Sequence, residues 1–481
     1  MTSHVTTEWQ AHWIFSTLKN LHLVQGTLPS EFQNLTFPAI VTDSRKITPG
    51  CLFIAIPGET FDGHDFIQAA MEKGAKGILS RQGHPALANA PKEVCIFAVP
   101  DTLTAYREIA KAWRARFKIP VAMVAGSNGK TTTKELLSAL FQGKWEHVLK
   151  TQGSQNGFVG IPLTLLELTS AHQAAVIEVG IDEPGTMKGH VDVVHPDVSV
   201  LTVIQPEHLE KLIDIDTVAR EEGYALSETL SRSGMIAVNL DDTRIFPHFN
   251  TSQGTKLGYT LDPAAALPSP NILHGKISAD LKTLEVSSAG FRTVEKFPLP
   301  LPGKHNATNL LAAIAVATLV GLTPDEMRKG LARFSAPEGR SQVKTLNDGT
   351  KVICDYYNSQ PASLKAGIEL LRDLSTQSER WLCLADMLEL GPNEETFHRE
   401  PADWIESLGQ ANVLLYGKRM GWLQDELKKR GFRGKLMHFS THADLAKELA
   451  QDAKPGATVL IKGSNSMKMG EVWKAFEQLR K

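Results

Sequence analysis

Two glycines enclose a serine and an asparagine at Gly126-Ser127-Asn128-Gly129, and Lys130, Thr131 and Thr132 follow directly. The apolar run VAMVA leads into this stretch and helical pattern leaves it. In a glycine turn between a buried strand and a helix, backbone N–H groups converge on one point. The helix N-terminus adds positive potential, so the stretch suits a phosphate group. Lys130 can reach the β- and γ-phosphates of a nucleotide, and the Thr131 hydroxyl can sit on Mg²⁺. The general phosphate-loop pattern also asks for a glycine five positions before the second loop glycine, and Val124 stands there. A plain glycine turn therefore remains open, but it leaves the Lys130–Thr131 pair unexplained.

Two acids end apolar strand patterns elsewhere. Glu178 closes VIE, where a carboxylate at the carboxyl end of a strand beside the phosphate-loop strand can hold Mg²⁺. Asp355 closes KVICD and is equally well read as a strand-end acid in a turn.

The elements that must position these groups alternate between strand and helix patterns along almost the whole chain, which predicts an α/β protein. Residues 38–56 read as strand, turn, strand. Helical pattern at 65–74, strands near 76–80 and 94–99, and a helix at 101–117 follow. The second block opens with the strand 121–126 and the helix from Lys130. It continues with strands at 174–180, 198–204 and 235–239, a helix at 216–231, a β-rich insertion at 245–300 and the Ala-rich helix 310–322. Strands at 351–355, 381–385, 411–415 and 457–461, each followed by helical pattern, form a βαβ series and imply a parallel sheet.

At roughly 100–200 residues per domain, 481 residues suggest three domains. The boundaries are expected near 105 and 338, giving domains of 1–105, 106–337 and 338–481. A net charge of -2 argues against general affinity for nucleic acid or an anionic membrane. The Ala-rich segment is too short to span a bilayer, and the N-terminus lacks the basic and apolar regions of a signal peptide. A cytoplasmic protein is expected. Cys51, Cys95, Cys354 and Cys383 form no CxxC pair and read as buried free thiols.

The variant GSNGKTTTKE resembles the phosphate loop of the Mur ligase family, ATP-dependent enzymes that build the peptide of bacterial cell-wall precursors. TDSRKITPGCLFIAIPGETFDGHDF looks like that family's UDP-sugar-binding domain. LPGKHNATNLLAA is similar to its adenine-contacting region, and Gly339-Arg340 to the opening of its C-terminal domain. Within the family, TQGSQNGFVGIPLTLLEL, DYYNSQPASL, LADMLELG with His398 downstream, and KGSNSMKM resemble the branch that joins D-Ala-D-Ala to UDP-MurNAc-tripeptide. The resemblance implies three α/β domains: a UDP-sugar domain, a central P-loop ATPase domain with a mainly parallel sheet, and a Rossmann-like domain for the incoming dipeptide and part of ATP. It also implies an acyl-phosphate intermediate, ATP with two Mg²⁺ ions, the two small-molecule substrates and a monomer.

Residue by residue, the resemblance assigns Gly126 to Thr132 to the ATP phosphates, Asn309 to adenine and Asp355 to ribose. Lys130, Glu178, His208 and Arg340 become catalytic, Arg340 at the γ-phosphate. Thr131, Glu178 and His208 become metal residues. Ser44 and Arg45, with Asp62-Gly63-His64, fall at the UDP end. Thr151, Gln155 and Asn156 fall at the sugar-peptide, and Tyr357 and Asn358 at the dipeptide. Taken alone, His208 and Asn309 read as structural polar residues, Arg45 as a solvated arginine, and His305 and Asn306 as helix caps.

Four departures from the family pattern stand out. Ala125 replaces a threonine before the loop, Cys354 an aspartate before Asp355, and Ser154 and Gly157 asparagines after Thr151. Where most members carry a carbamylated lysine, fourteen positions after His208, this chain has Glu222. Glutamate brings a carboxylate without modification, so Glu222 is expected at the second metal in place of the carbamate; a helix-face acid is the alternative. A folylpolyglutamate-type or different Mur-type ligase, a catalytically impaired nucleotide-binding relative, and a plain P-loop kinase or GTPase are the competing readings.

Overall fold

The apolar segment Val121–Ala125 forms a strand whose five residues are all buried. Gly126 (φ +114°) and Gly129 (φ +84°) then take backbone conformations that side-chain-bearing residues rarely adopt. The helix Lys130–Phe141 starts at once, with Gly129 at its cap. The computed structural model describes residues 9–58, 61–207, 209–250, 254–262, 271–288, 293–375 and 379–481. These fall into two compact units, one of residues 1–123, 145–179 and 188–197, the other of residues 124–144, 180–187 and 198–481.

In the first unit, strands Ile40–Val41, Leu52–Ile54, Gly77–Arg81 and Cys95–Val99 pair in that order, all parallel. A second parallel pair joins Val148–Lys150 to Ala174–Glu178. The helix Thr102–Arg114 begins at Asp101, whose carboxylate accepts the Thr104 N–H. Its buried face supplies Tyr106, Ile109, Ala110 and Trp113. Trp113 donates to the Leu168 carbonyl at 3.0 Å, and Lys111 pairs with Asp192 at 2.5 Å. The expected boundary near 105 falls inside this helix.

In the second unit, strands Val198–Leu201, Met235–Asn239, Thr255–Thr260 and Ile272–Ile277 run parallel, and Thr283–Ser287 and Glu295–Pro298 add antiparallel turns at the edge. The segment expected to be an insertion therefore continues the sheet, in register with Met235–Asn239. The Ala-rich helix is longer than its sequence pattern, Lys304–Leu319, and buries every residue from Asn309 to Ala317. His305 and Asn306 lie within its first turn and Gly303 holds the cap, so they are not caps as expected. Small side chains let this helix lie against both the sheet and the helix Lys130–Phe141.

A further sheet has six strands in the order Gln342–Thr345, Lys351–Asp355, Thr458–Lys462, Arg380–Ala385, Asn412–Tyr416, Leu436–Phe439. Only the first is antiparallel. The carboxyl ends at Asp355, Ala385 and Lys462 lie on adjacent strands, where open parallel sheets bind ligands. All four cysteines are buried free thiols, as expected. No helix among the described residues is long and apolar enough to cross a membrane.

Gly143 and Gly330 mark a close crossing of backbone in the second unit. A Cβ on Gly330 would overlap the carbonyl oxygen of Ala139, and one on Gly143 that of Glu326. Backbone cannot yield as a side-chain tip can. Gly330→Ala is expected to destabilise the protein by about 1–3 kcal/mol, the usual cost of overpacking, measured by urea unfolding.

Candidate active site

The loop Gly126–Gly129 is strapped down by the segment that follows strand Val198–Leu201. Ser127 donates its N–H to the Val203 carbonyl at 2.8 Å and its hydroxyl to the Gln205 carbonyl at 2.9 Å. Gln205 returns its own N–H to the Ser127 Oγ, and its side-chain oxygen accepts from Asn128 Nδ2 at 2.5 Å. The buried Thr202 hydroxyl donates to the carbonyl of Asn128. A Cβ on Gly126 would collide with that hydroxyl, so the strap itself requires glycine there.

Lys130 folds back over the loop. Its Nζ donates to the Gly126 carbonyl at 2.5 Å and the Ser127 carbonyl at 3.2 Å, and lies 3.5 Å from Glu207. Beneath sits Glu222, fully buried on the helix Ile215–Ser231, its Oε2 accepting the Gly126 N–H at 2.9 Å. Burial drives its carboxyl above the ordinary range and the neighbouring Glu207 adds to this; Lys130 and the Gly126 N–H pull the other way. The second oxygens of Glu222 and of buried Glu207 have no hydrogen-bond partner among the described residues. Two buried carboxylates with bare oxygens beside a phosphate loop have the chemistry of a divalent-cation site. Glu207 was not singled out from the sequence, although an acid directly before His208 was its visible signal. Thr202 and Gln205 were also missed, since their role depends on pairing across strands. His208 itself lies outside the described residues.

Thr131 and Thr132 are buried in the first helical turn. Asn309 Oδ1 faces Gly129 so closely that a Cβ on that glycine would overlap it. The structure thus brings the residue expected at adenine onto the phosphate loop. In the C-terminal sheet, Asp355 Oδ1 accepts from the Ser341 N–H at 2.9 Å and Oδ2 from Lys462 Nζ at 2.6 Å. Burial would raise the Asp355 carboxyl, but the charge and hydrogen bond of Lys462, helped by His305 and the Ser341 N–H, hold it below its ordinary value. The Arg340 guanidinium lies 4.0 Å from the centre of the Tyr357 ring, next to Gly339 (φ +69°). Asn358 is exposed. Cys354 faces the opposite side of its strand, at 0% exposure, where burial pushes the thiol up to about 12. That position is a core position, and a carboxylate there would need a partner.

In the first unit, Glu178 is buried at its strand end. Its N–H donates to the Thr151 Oγ at 2.9 Å, and its Oε1 accepts from Asn156 Nδ2 at 2.8 Å. Gln155 is exposed beside Asn156. The two expected substrate residues Thr151 and Asn156 therefore converge on the expected metal ligand. At the UDP end, the exposed Arg45 directs its fork at Asp43, with Nη2 2.8 Å from Oδ2, and this pairing holds Asp43 down at about 2. The half-buried Ser44 gives its carbonyl to Lys73 Nζ. His64 is committed to structure: Nε2 accepts the Arg81 N–H at 3.0 Å, so Nδ1 carries the proton toward Asp62, 2.6 Å away. His398 plays the same part, accepting the Met387 N–H and donating to the Glu394 carbonyl.

A P-loop on a parallel sheet, an asparagine over that loop and an acid–lysine pair at a second sheet's carboxyl ends define a nucleotide-dependent α/β enzyme. The Mur ligase family, catalytic domain, matches residues 36–114, the Mur ligase middle domain residues 124–317, and the Mur ligase, glutamate ligase domain, residues 339–465. The UDP-N-acetylmuramoyl-tripeptide–D-alanyl-D-alanine ligase of Bacillus subtilis is 31% identical, covering 95% of this chain and 97% of its own. Its Escherichia coli counterpart is 32% identical over 92% and 95%. Two solved structures share the fold: MurF from Acinetobacter baumannii (TM-score 0.82, 22% identity, covering 98% and 99%) and MurF from Thermotoga maritima in complex with ADP (TM-score 0.75, 23%, covering 92% and 97%). The chain belongs to the Mur ligase family.

Gly129→Ala is expected to abolish nucleotide binding measured by calorimetry, because both the +84° backbone and the contact with Asn309 exclude a side chain. The Asp355–Lys462 pair should be worth stability that is full above the ordinary aspartate value of 3.8 and is lost as pH falls through the lower folded value. Asp355→Asn should lower the thermal midpoint at pH 7 and flatten its acid-side decline.

Proposed function

We propose that this chain is an ATP-dependent amide ligase that joins D-Ala-D-Ala to UDP-MurNAc-tripeptide in peptidoglycan precursor synthesis. What carries the reading is a phosphate loop with its lysine and threonines, in a chain that aligns with ligases of that name over more than nine-tenths of both lengths. A carboxylate does not condense with an amine in neutral water, so it must first gain a leaving group. The γ-phosphoryl of ATP goes to the tripeptide carboxylate. The dipeptide amine attacks the acyl phosphate, and the tetrahedral intermediate expels phosphate.

Phosphoryl transfer calls for positioning and charge neutralisation. The N–H groups of Gly126 to Thr132 cradle the phosphates. Lys130 exchanges its loop carbonyls for phosphate oxygens, and Arg340 takes the γ-phosphate. Asn309 holds adenine and Asp355 ribose. Thr131, Glu178, His208 and Glu222 would hold Mg²⁺, which would supply charge neutralisation at the phosphates; Glu207 keeps a bare oxygen beside Glu222. Glu222 does the work of a carbamylated lysine without modification. Ser44 and Arg45 serve the UDP end, Thr151, Gln155 and Asn156 the sugar-peptide, and Tyr357 and Asn358 the dipeptide. The corresponding domains are 1–105, 106–337 and 338–481, in a cytoplasmic monomer.

Phosphate release from ATP with Mg²⁺ and UDP-MurNAc-tripeptide should require D-Ala-D-Ala; turnover indifferent to both substrates rejects the reading. Activity should be independent of bicarbonate and be lost in Glu222→Ala. Bicarbonate dependence together with an active Glu222→Ala enzyme would remove Glu222 from the metal.

A further inference from the structure

The loop 151–159 is held from two sides. On one side, Thr151 and Asn156 bind Glu178. On the other, two consecutive residues of the helix Thr102–Arg114 grip the far end of the loop. The buried Tyr106 hydroxyl donates to the Val159 carbonyl at 3.0 Å. The Arg107 guanidinium lies 4.9 Å from the centre of the Phe158 ring. The ring of His190 also packs on Phe158, with centroids 4.9 Å apart, and its Nδ1 lies 3.4 Å from Arg107 Nη1.

His190 is fully buried, and burial followed by the charge of Arg107 pushes its imidazole down to about 3. It is therefore neutral, and its Nδ1 can accept from the guanidinium. Space for that guanidinium comes from Gly189, where a Cβ would stand 3.0 Å from Arg107 Nη2. Arg107 is half-buried and makes no carboxylate ion pair among the described residues. Burial penalises the Arg107 charge; the fields of Asp192 and Glu108 offset part of that cost, and the stack on Phe158 and His190 adds to the offset.

We propose that Arg107, stacked on Phe158 and held by His190, is a positioning residue that sets the loop presenting Gln155 and Asn156 to the sugar-peptide substrate. This rests on the ligase reading above. Tyr106 fixes the loop backbone one residue further on. The stack fixes the side on which Gln155 and Asn156 emerge, so its loss should weaken recognition of one substrate only.

The test is a comparison of Arg107→Ala, Arg107→Lys, Phe158→Ala and Phe158→Tyr with the wild-type enzyme. Arg107→Ala and Phe158→Ala should raise KM for UDP-MurNAc-tripeptide about tenfold while leaving KM for ATP and for D-Ala-D-Ala within about twofold. Phe158→Tyr should restore the wild-type value. Arg107→Lys should not, because an ammonium lacks the planar face that stacks on the ring. Calorimetric binding of UDP-MurNAc-tripeptide without ATP reads the same role independently of turnover. A wild-type enzyme that binds this substrate but shows no dipeptide-dependent phosphate release overturns the ligase reading and leaves the binding comparison to decide the role. An unchanged Kd in Arg107→Ala, equal losses for all three substrates, or full rescue by Arg107→Lys overturns the positioning role.

Discussion

The contact on which the nucleotide site depends is a hydrogen bond between a backbone N–H and a buried acid. Gly126 opens the phosphate loop, and its N–H is taken by Glu222 from below. Glu222 is fully buried and makes no salt bridge among the described residues. It shares its surroundings with Glu207, and both carboxylates keep one oxygen without a protein partner among the described residues. An arrangement of this kind costs free energy while it is empty of positive charge. Lys130, 3.5 Å from Glu207, offsets part of it. The lysine of the phosphate loop is therefore also a neutralising charge for the acids.

The glycines follow from the same constraint. Loop N–H groups can converge on phosphate only if the backbone takes conformations with positive φ, and the straps from Thr202 and Asn309 pass too close to Gly126 and Gly129 for any side chain. Four hydrogen bonds between Ser127 or Asn128 and Val203 or Gln205 hold the loop in that conformation. A loop fixed by its own chain in this way lowers the ordering cost of binding.

Much of this was legible in the sequence because it is local. The strand Val121–Ala125, the two glycines and the helix from Lys130 adjoin one another, and each carries its own signal of apolar run, turn or helix start. The series of strands ending at Asp355, Ala385 and Lys462 was legible for the same reason. What was not legible depends on partners distant in sequence. The 245–300 segment carries strand patterns, yet nothing in it says that Thr255–Thr260 pairs in parallel with Met235–Asn239. Gln342–Thr345 and Leu436–Phe439 lack an all-apolar run because each is an edge strand with half-exposed positions. Glu207 and Gln205 look like loop residues until the loop they hold is placed beside them. His64 and His398 show the converse: both stand in motifs that suggest ligand contact, yet their ring nitrogens are taken within the chain, those of His398 by backbone and those of His64 by the Arg81 N–H and the Asp62 carboxylate.

The four cysteines bear on how motion in this protein can be watched. Each thiol sits in a core, and burial raises all four above the ordinary cysteine range, which keeps them protonated as well as inaccessible. Alkylating reagents act on exposed thiolates, so the folded chain is close to silent toward maleimide dyes. A single cysteine added to the surface would be the one site to take a fluorophore, with no need to strip the native thiols from the cores they help fill.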